Sequence, residues 1–183
     1  ESSKVAIDNS PVKLSCDRMD VRVRETNLGN AVADALLDYG QSDFTHKSNL
    51  AVTNGGGLRE TIAKDKPITK GDIIAVLPFG NSVAQIQVTG QNIYDMFVKS
   101  LGSILQVDES GKNVFDENGQ PLLEPSGGFL QVAGARVYYD TTLPTEKRIL
   151  SIDILDPETG VYKPLNTTET YYLVTNDFLA CWW

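Results

Sequence analysis

The sequence predicts an α+β fold in which mixed β-sheet is covered by helices, and three observations predict it. Helix-period and strand-period apolar patterns alternate along the chain, with no long stretch of either alone. Two threonine-led starts precede apolar stripes at helical spacing. The 183 residues, 41% of them hydrophobic, suffice for one ordinary domain with a real core.

The elements follow in chain order. Residues 22–24 read as an extended run, where alternation puts Arg22 and Arg24 on one face. Thr26 or Asn27 then caps a helix whose inward stripe is Leu28, Val32, Ala35, Leu36 and Tyr39, and this stripe packs on a sheet. Leu50-Ala51-Val52-Thr53 has the character of a short buried strand. Residues 83–88 read as a strand, and Thr89 caps a helix through Ile93, Phe97 and Leu101. Residues 108–128, rich in Gly, Asn, Pro and acids, read as an excursion from the core, a hairpin or a loop. Residues 135–139, 149–155 and 170–175 supply further strands, with Asp156-Pro157-Glu158-Thr159-Gly160 as a turn signal between the last two. There is no internal repeat and no low-complexity tract. Asn166-Thr167-Thr168 is a glycosylation sequon, which matters only on a eukaryotic secretory route.

The segment Asn54-Gly55-Gly56-Gly57-Leu58-Arg59 carries the most chemical information. Glycine costs backbone entropy on folding, but it permits positive φ and close approach of another molecule to the main chain. A strand that delivers such a loop beside an arginine suits an anion, because exposed N–H groups and a guanidinium both favour phosphate or carboxylate. A tight turn with an unrelated surface arginine is the other reading, and the loop alone leaves both open. It matches neither the dinucleotide fingerprint nor the P-loop. About twenty residues on, Val76-Leu77-Pro78-Phe79-Gly80-Asn81 brackets an aromatic ring between turn residues. Phe79 there is either a flat stacking surface or a cap on the core.

Composition narrows the chemistry. A net charge of −8 argues against a nucleic-acid partner, although arginines concentrated at one place still hold a small anion. The single histidine, His46, lies in a polar stretch without neighbouring ligands, so neither a Ser-His-Asp or Cys-His site nor a dinuclear metal centre fits this chain. Cys16 and Cys181 make no zinc pattern, and their spacing leaves open whether they pair. No segment has the apolar length of a membrane span, and no signal peptide opens the sequence.

Several motifs in register carry a resemblance. Arg22-Val23-Arg24-Glu25-Thr26-Asn27-Leu28-Gly29-Asn30, the glycine loop at 54–59, the run from Gly71-Asp72 to Pro78-Phe79-Gly80-Asn81, the stretch 128–134 and Asn176-Asp177-Phe178-Leu179-Ala180 together resemble the C-terminal domain of the 5'-nucleotidase family. That family includes periplasmic UDP-sugar hydrolases and ectonucleotidases, and the match runs from about Val5 to Ala180. The resemblance implies the layered fold of that domain over residues 1–183. It also implies the nucleotide-recognition half of a secreted or surface 5'-nucleotidase or UDP-sugar diphosphatase. The catalytic residues and two divalent metals, zinc or manganese in type, would belong to an N-terminal metallophosphatase domain of the same polypeptide, so this chain has no cofactor and is inactive alone. Its partners would be a nucleotide or nucleoside and that N-terminal domain, in an extracellular, cell-surface or periplasmic location. Carried over by position, Arg22, Asn54, Gly56 and Arg59 would contact substrate, Phe79 would stack on the base, and Asn81 would lie beside it. In the family, a Gly-Gly-Asp-Gly-Phe/Tyr segment after Asn-x-Phe-x-Ala closes the other side of the base. Here Cys181-Trp182-Trp183 stands instead, which is read as a missing or altered clamp that Trp182 or Trp183 imitates at most. A stand-alone nucleotide-binding module and a structural domain that has lost its ligand are the alternatives. The missing clamp favours the second of these, while retention of Arg22, Asn54, Arg59, Phe79 and Asn81 favours ligand binding. Phe79 is accordingly expected to be exposed, with one ring face open.

Overall fold

A computed structural model describes Lys4 and residues 6–182. The first half of the described chain forms β1 (Ala6–Asn9), α1 (Arg18–Val21), α2 (Asn27–Ser42), β2 (Leu50–Asn54), β3 (Pro67–Thr69), α3 (Lys70–Val76), β4 (Val83–Thr89) and α4 (Gly90–Ser100). The second half forms β5 (Leu130–Ala133), β6 (Ala135–Tyr139), β7 (Ile149–Leu155), β8 (Tyr162–Pro164), β9 (Thr170–Asn176) and α5 (Asp177–Ala180). The central sheet has the order β4-β9-β2-β5 and is mixed: β2 and β9 run parallel, while the other pairs are antiparallel. Strands β6-β7-β8 form a second antiparallel sheet, and β1 pairs with β3. The predicted α+β class is the class observed.

Alternation along β2 explains the layering. Leu50 and Val52 point to one face, where Ile93, Met96 and Phe97 of α4 meet Ile152 and Ile154 of the second sheet. Ala51 points to the other face and packs with Val174 and Ala133 against Ala33 and Leu37 of α2. Each large apolar side chain buried this way contributes about 1.5–3 kcal/mol. Helix α4 starts in a reciprocal cap, in which Thr89 accepts from the Asn92 N–H and the Asn92 side chain accepts from the Thr89 N–H.

Four expectations need correction. The 22–24 run is not extended: α1 ends at Val21, Arg22 caps it, and Val23 and Arg24 donate back to the Asp20 carbonyl. Arg22 and Arg24 therefore do not act as a pair, and Arg24 binds Asp20 and Glu117, each at 2.7 Å. The inward stripe of α2 is Leu28, Gly29, Ala33, Leu37 and Gly40, whereas Ala35 and Tyr39 are exposed. Gly29 and Gly40 let the helix lie close to the sheet, since a Cβ on Gly29 would collide with the Gln131 side chain and one on Gly40 would reach Ser48 Oγ at 2.6 Å. The Asp156–Gly160 turn leads into β8, a strand the sequence pattern does not announce, before the chain reaches β9. The short strands β1, β3 and β5 are likewise unannounced.

Between residues 105 and 123 the chain forms bridges Val107–Asn113 and Phe115–Pro121 above a base at Leu105–Leu123. Asp108 and Asp116 close its two turns by accepting backbone N–H bonds at Ser110 and Lys112, and at Asn118 and Gln120. Leu123 anchors it in a cluster with Leu101 and Phe129.

Candidate functional site: a cleft around the glycine loop

The three glycines at the end of β2 form a 3₁₀ turn, and none of them has positive φ. Close packing is their reason instead. A Cβ on Gly55 would collide with the Val21 carbonyl, and one on Gly56 would stand 3.0 Å from the Gly127 backbone. The N–H groups expected to cradle an anion are spent internally: Gly55 donates to Phe129, Gly56 to Gly127, Leu58 to Gly55 and Arg59 to Val76. Asn54 reinforces the same contact, donating from Nδ2 to the Gly127 carbonyl at 3.1 Å. The loop is thus a wall that bonds largely within the fold, and Arg59 is its charged side chain.

Phe79 stands on that wall, 60% exposed although phenylalanine is ordinarily buried. Pro78 restricts the turn before it, and Gly80 after it takes φ +63°, a conformation that favours glycine. The turn is stapled downstream: Ser82 N–H donates to the Asp177 carboxylate at 3.1 Å, and Asp177 N–H donates to the Ser82 carbonyl at 2.9 Å. The Arg59 guanidinium carbon lies 5.7 Å from the Phe79 ring centroid, within cation–π range.

Asn54, Gly56, Phe79 and Asn81 line one cleft of ≈ 1090 Å³. Another part of its wall is Phe178 with Trp182, whose rings meet edge-on at 6.0 Å and are 52% and 63% exposed. The Lys99 ammonium sits 5.9 Å from the Trp182 centroid. Phe79, Phe178 and Trp182 thus line one cleft; Trp183 lies outside the described residues. Of the six residues singled out in the sequence, four line this cleft and two stand beside it. Arg59 joins through Phe79, and Arg22 lies beside the lining residue Gly127.

Arg22 is half-buried, and its guanidinium is held below its ordinary range by burial first, then by the charges of Arg18 and Arg59. Arg22 thus feels both Arg18 and Arg59, and none of the three forms an ion pair with a described carboxylate. Sequence reasoning misses Arg18 because an extended run at 22–24 hides the helix before it; the i, i+4 spacing of Arg18 and Arg22 is the signal that finds it. Gln131 is missed too. It is 1% exposed and ties down the turn that carries Arg22, donating to the Val21 and Arg24 carbonyls at 3.1 and 2.8 Å and accepting from the Thr26 N–H at 3.1 Å.

His46 stacks on Tyr172, with centroids 4.2 Å apart and planes at 10°. Cys16 and Cys181 are both free, and burial raises the Cys16 thiol pKa. Among the described residues no three His, Cys, Asp or Glu side chains converge as a metal site. No described helix is long and apolar enough to cross a membrane.

Residues 5–181 match the family model described as 5'-nucleotidase, C-terminal domain. The chain belongs to that family. It is 33% identical over 169 residues to the trifunctional nucleotide phosphoesterase protein YfkN of Bacillus subtilis (strain 168), a match covering 92% of this chain and 10% of that protein. It is 28% identical over 177 residues to a 5'-nucleotidase of Homo sapiens, covering 92% of this chain and 28% of the relative. The crystal structure of a 5'-nucleotidase precursor from Thermus thermophilus superposes with a TM-score of 0.76 at 32% identity, over 97% of this chain and 30% of that one. The chain therefore spans between a tenth and a third of the length of these relatives.

Proposed function

We propose that this domain, over residues 1–183, recognises the nucleotide for a hydrolase of phosphate esters, either a 5'-nucleotidase or a UDP-sugar diphosphatase. Cleavage belongs to an N-terminal metallophosphatase domain of the same polypeptide, which holds two divalent ions of zinc or manganese type. Exposure of Phe79 within the cleft carries this reading. A ring held open by Pro78 and Gly80, in a cavity of ligand size, is pre-organised to stack on a base. Trp182 and Phe178 supply a second apolar surface of the same cleft. Asn81 is placed to meet the base edge, while Asn54 and Gly56 hold the wall in place. Arg59, Arg22 and Arg18 form the cationic side, where a phosphate would offset the charge that Arg18 and Arg59 exert on Arg22. An extracellular, cell-surface or periplasmic location is part of this reading; a snake venom 5'-nucleotidase among the relatives supports it.

The test is a titration of the isotope-labelled chain with AMP, followed by NMR, beside a hydrolysis assay. Saturable shifts at Gly56, Asn81 and Trp182 are expected, with no turnover of AMP or UDP-glucose even when zinc or manganese is added. Absence of saturable shifts would overturn the recognition role. Turnover that survives purification and is lost with a chelator would overturn the division of labour.

A further inference from the structure

A second cavity, ≈ 300 Å³, shares Ser100 and Leu130 with the first cleft, where the Leu130 N–H donates to Ser100 Oγ at 2.9 Å. Its lining is aromatic to an unusual degree, with Phe97, Phe129, Tyr138 and Tyr139 all contributing. The Tyr139 ring packs on Leu101, Leu123 and Phe129, and its hydroxyl makes no hydrogen bond to a described residue. Solvent reaches this hydroxyl, so a ligand can as well.

The charged side chains on its lining are Glu25 and Arg136. Glu25 lines the cavity, its carboxylate oriented by Asn30 Nδ2 at 2.9 Å and engaged in no ion pair with a described cation. Burial raises the Tyr139 pKa, and the charges of Glu25 and then Asp116 raise it further. The one lining cation, Arg136, is committed elsewhere: its guanidinium sits 3.9 Å from the Tyr162 ring centroid.

We propose that this cavity binds a small primary ammonium ion carrying an apolar body, with Glu25 as counter-ion, the Tyr139 oxygen as acceptor and the ring faces as cation–π surface. An ammonium group donates three hydrogen bonds and needs a carboxylate or aromatic face when taken from water, and its apolar remainder fits a space of this size. The site stands independently of nucleotide recognition.

The probe is 2-phenylethylamine, a cation at neutral pH, titrated into the labelled chain beside neutral 2-phenylethanol and anionic phenylacetate. The amine is expected to shift the Gln131, Val132, Tyr138 and Tyr139 amides saturably. The alcohol should bind about tenfold more weakly, as loss of one charge-assisted contact predicts. Glu25→Gln, which keeps the acceptor for Asn30, should weaken the amine by about tenfold and leave the alcohol unchanged. Tyr139→Phe should weaken the amine by a smaller factor. An amine that gives no saturable shift at these amides, or binds no better than the alcohol, would overturn the proposal. Stronger binding of phenylacetate would overturn it as well, by assigning the cavity to Arg136.

Discussion

The glycine loop and the aromatic surfaces beside it border the same cleft, yet they are built on opposite principles. The Gly55, Gly56 and Arg59 N–H groups donate within the fold, to Phe129, Gly127 and Val76, and Gly55 and Gly56 let Val21 and Gly127 come close. The rings of Phe79, Phe178 and Trp182 are more than half exposed, and a few bonds at Ser82 and Asp177 hold them in register. On the proposed reading, the cleft divides into a frame that stabilises the domain and an exposed surface that meets the ligand. Changes in the frame should cost stability, and changes in the surface should cost binding alone.

The largest effect is expected in the frame. Gly55→Ala drives a methyl group into the Val21 carbonyl, and backbone cannot yield as a flexible side chain does. Destabilisation by about 3 kcal/mol or more, read from urea unfolding, should accompany loss of nucleotide binding. A Gly55→Ala domain of unchanged stability would mean that the loop has room the contact denies. Arg59→Ala comes next and lies on the other side of the division. In the intact enzyme it should raise KM by the equivalent of about 1.5–3 kcal/mol while the melting temperature stays put. Phe79→Ala should weaken nucleoside binding by the equivalent of about 1–3 kcal/mol, again without destabilisation. A falling melting temperature with intact binding would make Phe79 part of the frame.

Much of the frame is legible in the sequence because its strands are long enough to show a period. β2, β4, β6, β7 and β9 emerge from runs of apolar or alternating residues, and Thr26 and Thr89 mark their helices by capping chemistry. The α2 stripe is misleading because its innermost positions include Gly29 and Gly40, which carry no hydrophobic signal even though the sheet requires them. α1, only four residues long, shows no period at all, so the pattern places Arg22 and Arg24 on one face and hides Arg18. The exposed ring of Phe79 is legible, since Pro78 and Gly80 announce the turn. That the glycine N–H groups are occupied is not, because their acceptors at Gly127 and Phe129 lie far along the chain.

The smallest expected effect lies away from the cleft, at the turn joining β7 to β8. Asp156 accepts from Lys163 Nζ at 2.7 Å, and this contact above all lowers its pKa from 3.8 to about 2. A depressed carboxylate pKa stabilises the fold above 3.8, and that contribution is lost as pH falls through about 2. The pair is solvent-exposed, so the gain is slight. Melting curves of the wild type and Asp156→Asn should converge as pH drops through that window, while nucleotide affinity at neutral pH stays equal in the two.

The division between frame and surface is tested most directly by intermolecular NOEs between the chain and bound AMP. Contacts from the Phe79 ring protons, and from the Trp182 ring, to the adenine H2 and H8 are expected, with none from the glycine amides to the base. A bound nucleotide whose base shows NOEs to the second sheet or to α2, and none to Phe79, would contradict the account.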